Sequence, residues 1–335
     1  MKVLLLKEGN FSYWQRKVQG AIRHSTEYFE VTNPTIKRMA NVHLTYLILA
    51  HHKPDQVAGL IDSLDDDNTS FCVHFDAKSA IKGLLRNKFA SRKNVKVLQS
   101  DIDVNWGGYN MVAATLKLMK AGISQKRGYL ILLSGQDLAI KSNDHIRHFY
   151  EHSYGNQYMD YSPLPSSSWA LHGGLDRINY YWFVDQVGKE ASFMLYEGQI
   201  RSGFKRPFFS GLVPYGGSQW WSLTMDCAEY ILNFVRANRS FDDFMRYCLI
   251  PDELYFQNIL LNSPLQSSVI NDNLRYIDWQ SGPESPRILR SEDFPKMMTS
   301  DCLFARKFDT AIDSTIYSLI RNETAPKGML YAKDT

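Results

Sequence analysis

Tyr129-Leu130-Ile131-Leu132-Leu133 is an unbroken apolar run, stopped by Ser134-Gly135-Gln136-Asp137. It is far short of the roughly 20 residues that a membrane span needs. It also lacks the polar alternation of a half-exposed strand, so it reads as a strand covered on both faces. Working outward, His43–Ala50 (HLTYLILA), Ser70–His74 and Val95–Leu98 read as strands of the same kind. Helical patterns lie between them, over Asp55–Leu64 behind Pro54, over Ser79–Phe89 and over Tyr109–Ala121. Pro54 stands where the first turn of a helix tolerates proline. Strands alternating with helices imply right-handed crossovers and an α/β fold with a mostly parallel sheet. Ligands of such sheets bind beyond the carboxyl ends of the strands. That rule singles out His51, Asp76 and Asp137, each just after a predicted strand.

The second half is less regular and more aromatic. Trp221–Thr224 reads as a strand, Met225–Ala237 as a helix, Pro251 to about Asn262 as a helix and Leu274–Trp279 as a short strand. There is no internal repeat and no low-complexity linker, so one catalytic domain over residues 43–335 is predicted, with 1–42 as an amino-terminal extension. The 335 residues are 44% hydrophobic and 22% charged, an ordinary globular composition. The net charge of +3 excludes a nucleic-acid surface. The first 45 residues hold seven Lys and Arg against three Asp and Glu, a basic end that reads as a solvated charged extension before it reads as a contact to anionic lipid. Cys72, Cys227, Cys248 and Cys302 form no C-x-x-C pair, as reduced thiols do.

Three groups of residues carry candidate chemistry. Glu253 follows Pro251-Asp252, in a predicted first helical turn where the helix dipole favours a carboxylate; the same position also suits an acid that only stabilises the helix. As a carboxylate it is a candidate base for an acceptor hydroxyl. Arg306 and Lys307 are adjacent cations that could neutralise a departing diphosphate, or stand as a solvated pair. Trp279, with Trp106, Trp220 and Trp221, offers flat apolar faces to a sugar ring or to a core. Asp101-Ile102-Asp103 and Asp65-Asp66-Asp67 match the Asp-x-Asp pattern of metal-dependent sugar transfer, but the strongest strand leads to one acid, Asp137. His51, His52 and His74 have no metal-site spacing, while Asp101–Asp103 follows a plausible strand and stays open as a metal pair.

In order along the chain, YLILAH (46–51), CVHFD (72–76), VNWGG (104–108), YLILLSGQDLAIK (129–141), FSG (209–211), GGSQWW (216–221), PDELYFQ (251–257) and LFARKFD (303–309) form a recognisable series. Together they resemble glycosyltransferase family 14, the core-2/I-branching β-1,6-N-acetylglucosaminyltransferases and peptide O-xylosyltransferases, over roughly residues 43–310. The resemblance implies a GT-A-type fold and an inverting, metal-independent transfer from a UDP-sugar, with Glu253 as base. It implies diphosphate binding by Arg306 and Lys307, a place for Asp76 near the uridine, and Asp137 as the lone acid where others hold a metal. Trp279 is similar to an acceptor-stacking aromatic, with Trp106 and Gly217 assigned to the same acceptor side. A further diphosphate arginine is implied at Arg287 or Arg290, with Arg287 preferred. His51 completes the donor set.

The donor expected is UDP-N-acetylglucosamine, with UDP-xylose as the alternative, and the acceptor a glycan or lipid-linked saccharide. Animal members carry an anchor, a stem and many disulfides. Their lack here leads to the expectation of a bacterial-type, cytoplasmic enzyme, with peripheral contact at the inner membrane face. Two other classes remain open: a glycan-binding module on a transferase fold, and a metal-dependent hydrolase using the histidines.

Overall fold

The four apolar runs become four neighbouring strands. The computed structural model describes residues 42–79, 82–99, 101–279 and 285–325. In it, β1 (His43–Ala50), β2 (Thr69–Phe75), β3 (Val95–Val97) and β4 (Gly128–Ser134) lie side by side in the order β3-β2-β1-β4, all parallel. Leu47 of β1 is opposite Cys72 on one side and Leu132 on the other.

The centres of β1, β2 and β4 are apolar because both faces are buried, whereas edge strand β3 (Val-Lys-Val) exposes Lys96. Tyr46, Ile48, Tyr129, Ile131 and Leu133 enter one core with Val57, Leu60 and Ile61 of helix Pro54–Leu64. Their alternates Leu47, Leu49, Leu130 and Leu132 enter a second core with Val112, Leu116 and Met119 of helix Asn110–Gly122. A polar residue at any of these positions would face a helix on whichever side it pointed.

The chain continues with β5 (Leu138–Ala139), β6 (Gln157–Pro163), β7 (Tyr215–Thr224), β8 (Val269–Ile270), β9 (Arg275–Ile277) and β10 (Phe304–Arg306). Strands β7, β6 and β8 extend the main sheet beyond β4. Strand β7 is antiparallel to β4, with Thr224 opposite Tyr129 and Ser222 opposite Ile131, so its first residues run past the carboxyl end of β4. Strands β5, β10 and β9 form a separate small sheet at that same end.

Met225–Ala237 is a helix over the predicted span, and the Thr224 hydroxyl caps it by accepting from the Cys227 N–H at 3.3 Å. The predicted strand Trp221–Thr224 is the end of the longer β7. The helix predicted from Pro251 breaks in two, a 3-10 turn Pro251–Glu253 and a helix Tyr255–Leu260, because Leu254 between them has a non-helical φ of −127°. The helix predicted over Ser79–Phe89 is described over Lys82–Lys88. Helices Asn143–His152 and Lys189–Arg201 and strand β6 had no counterpart in the sequence reading.

Of the expected extension over residues 1–42, only Val42 lies among the described residues. Among the described residues, no helix is long and apolar enough to cross a membrane.

Candidate active site

The carboxyl edge of the parallel strands gathers most of the predicted residues. Chain leaving β1 at His51 lies beside chain leaving β2, where the Asp76 N–H donates to the Ala50 carbonyl at 3.1 Å. The Asp76 carboxylate accepts from the Lys78 N–H at 3.0 Å and the Val104 N–H at 3.4 Å. Lys78 Nζ donates to the Val104 carbonyl and to Asn105 Oδ1, at 2.9 and 2.8 Å. These bonds draw the loop 104–108 over the end of β2. The His51 ring stacks on His52 at 4.0 Å. Burial, the His52 ring and the Lys307 ammonium lower its pKa, and Asp76 opposes them, so the predicted cation and acid both lie within electrostatic reach of His51.

Strand β4 leads into the second cluster. Asp137 is wholly buried; one carboxylate oxygen accepts from the Ser134 N–H at 2.9 Å and the other from Arg306 Nε at 3.0 Å. The Arg306 guanidinium lies over the Trp220 ring, 4.2 Å from its centre. Beside it, the half-buried Lys307 donates from Nζ to Ser285 Oγ at 3.0 Å. Burial and then the neighbouring Arg306 hold the Lys307 ammonium below its ordinary pKa. Trp279, 51% exposed, follows β9 by two residues, and Ile277 of β9 is opposite Arg306 of β10.

Glu253 reaches this edge by two routes. The Ile250 N–H donates to the Gly107 carbonyl at 2.9 Å, which ties the turn carrying Glu253 to the loop that covers Asp76. The Glu253 carboxylate accepts from Arg177 Nη1 at 2.7 Å, and the Arg177 guanidinium lies 4.3 Å from the centre of the Trp169 ring. That ring in turn packs on Gly216 of β7, where an added Cβ would be 2.5 Å from it. Gly216 and Trp220 are four residues apart on β7, no more than about 14 Å at full extension. Glu253 is thus linked to β7 through Arg177 and Trp169, and Arg306 packs on the same strand through Trp220. Next to the candidate base, burial and then the Glu253 charge push the Asp252 carboxyl up to about 7.

Strand β7 is irregular at this point. Four steps from Gly217 to Trp221 oppose two steps from Tyr161 to Met159 on β6. Bulges of this kind bend a strand and re-aim its side chains, and Trp220, which packs on Arg306, lies inside this one.

Several of the assigned residues are engaged within the folded chain. Asp137 is buried, with one oxygen held by the Ser134 N–H and the other by Arg306. Arg287 is engaged by carboxylates: it pairs with Asp278 at 2.9 Å, with Asp293, and with Glu292 at 3.9 Å. The hydrogen bonds to Asp293 and Asp278 raise its pKa further. Its charge is balanced by these carboxylates. Gly217 is dictated by the neighbouring strand, since a Cβ there would be 1.8 Å from the Asp160 carbonyl oxygen. Trp106 is 52% exposed on the loop over Asp76, and its ring carries the Lys189 ammonium at 4.3 Å. Of the two acidic runs, Asp101 is ion-paired to Lys117, Asp65 to Arg92 at 2.6 Å and Asp66 to Arg147 at 2.6 Å.

Two site residues escaped the sequence reading. Arg177 lies in a stretch with no motif of its own. Arg275 is fully buried and donates from Nη2 to the carbonyls of Leu132 and Trp221, at 2.8 and 3.3 Å. It bridges β4 and β7 just where their pairing ends, at Ile131 opposite Ser222. Burial is the main force lowering its pKa. No local sequence signal marks either arginine, because their partners come from distant segments.

The family model for the Core-2/I-branching enzyme matches residues 44–303. The chain belongs to that family. It is 24% identical over 310 residues to xylosyltransferase 2 of Mus musculus, covering 83% of this chain and 33% of that protein. It is 25% identical over 268 residues to β-glucuronosyltransferase GlcAT14A of Arabidopsis thaliana, covering 72% of this chain and 55% of that one. The chain thus spans about a third of the length of the mouse xylosyltransferase it matches. Among solved structures, S. aureus TarS 1–349 in complex with UDP-GlcNAc is similar with a TM-score of 0.35 and 12% identity, over 69% of this chain and 56% of that one.

Proposed function

We propose that this member of the Core-2/I-branching enzyme family transfers one sugar, N-acetylglucosamine, from its UDP conjugate to a hydroxyl of a glycan or lipid-linked saccharide, inverting the anomeric centre. Glu253 takes the proton of the acceptor hydroxyl as that oxygen bonds to the anomeric carbon. The bond from that carbon to the diphosphate breaks, and the electron pair leaves with UDP. Arg306 and Lys307 face the charge that develops there, with His51 and Asp76 at the nucleotide side. Trp279 and Trp106 offer apolar faces to the acceptor. A positioned base contributes about 10²–10⁴ in rate, and removal of one donor to a developing anion costs about 10²–10³.

The observation that supports this reading is that Glu253, through Arg177 and Trp169, and Arg306, through Trp220, are both linked to β7. An acid and a pair of cations are the two requirements of transfer to a hydroxyl with diphosphate departure. The names of the relatives favour a second donor, UDP-xylose.

The test is UDP release with UDP-N-acetylglucosamine, UDP-xylose and UDP-glucuronate, for the wild type and Glu253→Gln. The variant is expected to lose at least about 100-fold in turnover while binding UDP as tightly as the wild type. Near-normal turnover in a folded variant removes Glu253 from the base role. Metal independence is part of the proposal, so turnover persists in EDTA; loss there, restored by manganese, would return the role to Asp101 and Asp103.

A further inference from the structure

Helix Asn143–His152 buries Ile146 and Tyr150 and exposes His145, His148 and His152 on its other side. His148 and His152 are one turn apart, and their rings lie 3.8 Å apart, centre to centre, tilted by 52°. His152 Nδ1 is 2.8 Å from the His148 carbonyl oxygen. A carbonyl oxygen can only accept, so Nδ1 carries the proton and Nε2 of the neutral ring is left as an acceptor, the tautomer that metal-binding imidazoles take when their other nitrogen donates to a carbonyl. The segment His148-Phe149-Tyr150-Glu151-His152 has the H-x-x-E-H spacing that places two imidazoles on one helix face.

We infer that His148 and His152 form a binding site for a divalent d-block cation such as Cu²⁺, Ni²⁺ or Zn²⁺. Imidazole nitrogens suit these ions and not Mg²⁺, which prefers oxygen. The described residues gather no set of three or more His, Cys, Asp or Glu ligands. The two imidazoles are thus the protein ligands, and the site is open rather than caged. The site is remote from the proposed chemistry. Ser153, just after the helix, accepts from the Tyr129 hydroxyl at 3.1 Å through its carbonyl, and Tyr129 opens β4 at the end opposite Asp137.

The test is calorimetric titration of the full chain with CuCl₂, NiCl₂, ZnCl₂ and MgCl₂. The wild type binds one ion per chain at this site, most tightly Cu²⁺, and no Mg²⁺. His148→Ala and His152→Ala each weaken binding by at least about tenfold, which is about 1.4 kcal/mol. His52→Ala, which breaks the other stacked imidazole pair, leaves it unchanged. Binding that survives the His148→Ala/His152→Ala double variant, that is lost only in His52→Ala, or that never saturates in the wild type overturns the inference. Circular dichroism of the double variant verifies that the helix is intact.

Discussion

Asp137 and Arg306, 169 residues apart, meet in a buried pair at 3.0 Å, with the carboxylate wholly out of water. The aspartate anchors the arginine, and the arginine screens the aspartate from the cleft. Removing one partner of a buried pair leaves the other charge uncompensated, at a cost of about 3–5 kcal/mol. Asp137→Asn is thus expected to lower unfolding free energy by about that much in urea, and to raise the donor KM at least about tenfold. A variant as stable as the wild type would show that Arg306 is held by Trp220 alone.

Arg177 fixes the Glu253 carboxylate from one side. Arg177→Met keeps much of the apolar stem over Trp169 and removes the charge. We expect kcat to fall by about 10–100-fold with the donor KM little changed, because the diphosphate cations are elsewhere. A rise in donor KM with normal kcat would place Arg177 on the nucleotide instead.

Two glycines make opposite predictions. Gly217→Ala drives a Cβ into the Asp160 carbonyl at 1.8 Å, so thermal stability should fall by about 1–3 kcal/mol. Gly59, inside helix Pro54–Leu64, has nothing within 4 Å of its added Cβ. Gly59→Ala should raise stability by about 0.4–1 kcal/mol. The pair of melting curves separates close backbone approach from mere helix propensity.

His74 is buried with Nε2 unpaired, and burial, the main cause, lowers its pKa to about 4. Unfolding restores the ordinary value of 6.5, so below that pH the unfolded chain binds the extra proton. Stability is full above about pH 6.5 and is lost progressively as pH falls toward 4, by on the order of 3 kcal/mol at the limit. His74→Gln should flatten this part of the stability–pH curve; an unchanged slope would assign it to other groups.

The parallel half was legible because its central strands β1 and β4 are short, largely apolar on both faces and followed by a turn, as in Leu132-Leu133-Ser134-Gly135. Helix Asn143–His152 was legible in principle, from Ser142 as a cap and Ile146 and Tyr150 one turn apart. Strand β6, QYMDYSP, was not, because its pairing with a bulged β7 leaves no clean alternation. Arg287 shows the limit at the site. A free arginine and one clasped by Asp278 and Asp293 read alike in one dimension.

Residue order alone determined the alternating sheet, its ligand-bearing edge and the candidates Glu253, Arg306 and Lys307, since periodicity and residue chemistry are local properties. Only the tertiary structure decided which charges are exposed and which are spent. Asp137 turned inward to Arg306, Arg177 was brought to Glu253, and Gly217 was claimed by Asp160. Burial and pairing depend on distant segments meeting in space, and a local stretch of sequence does not encode that meeting.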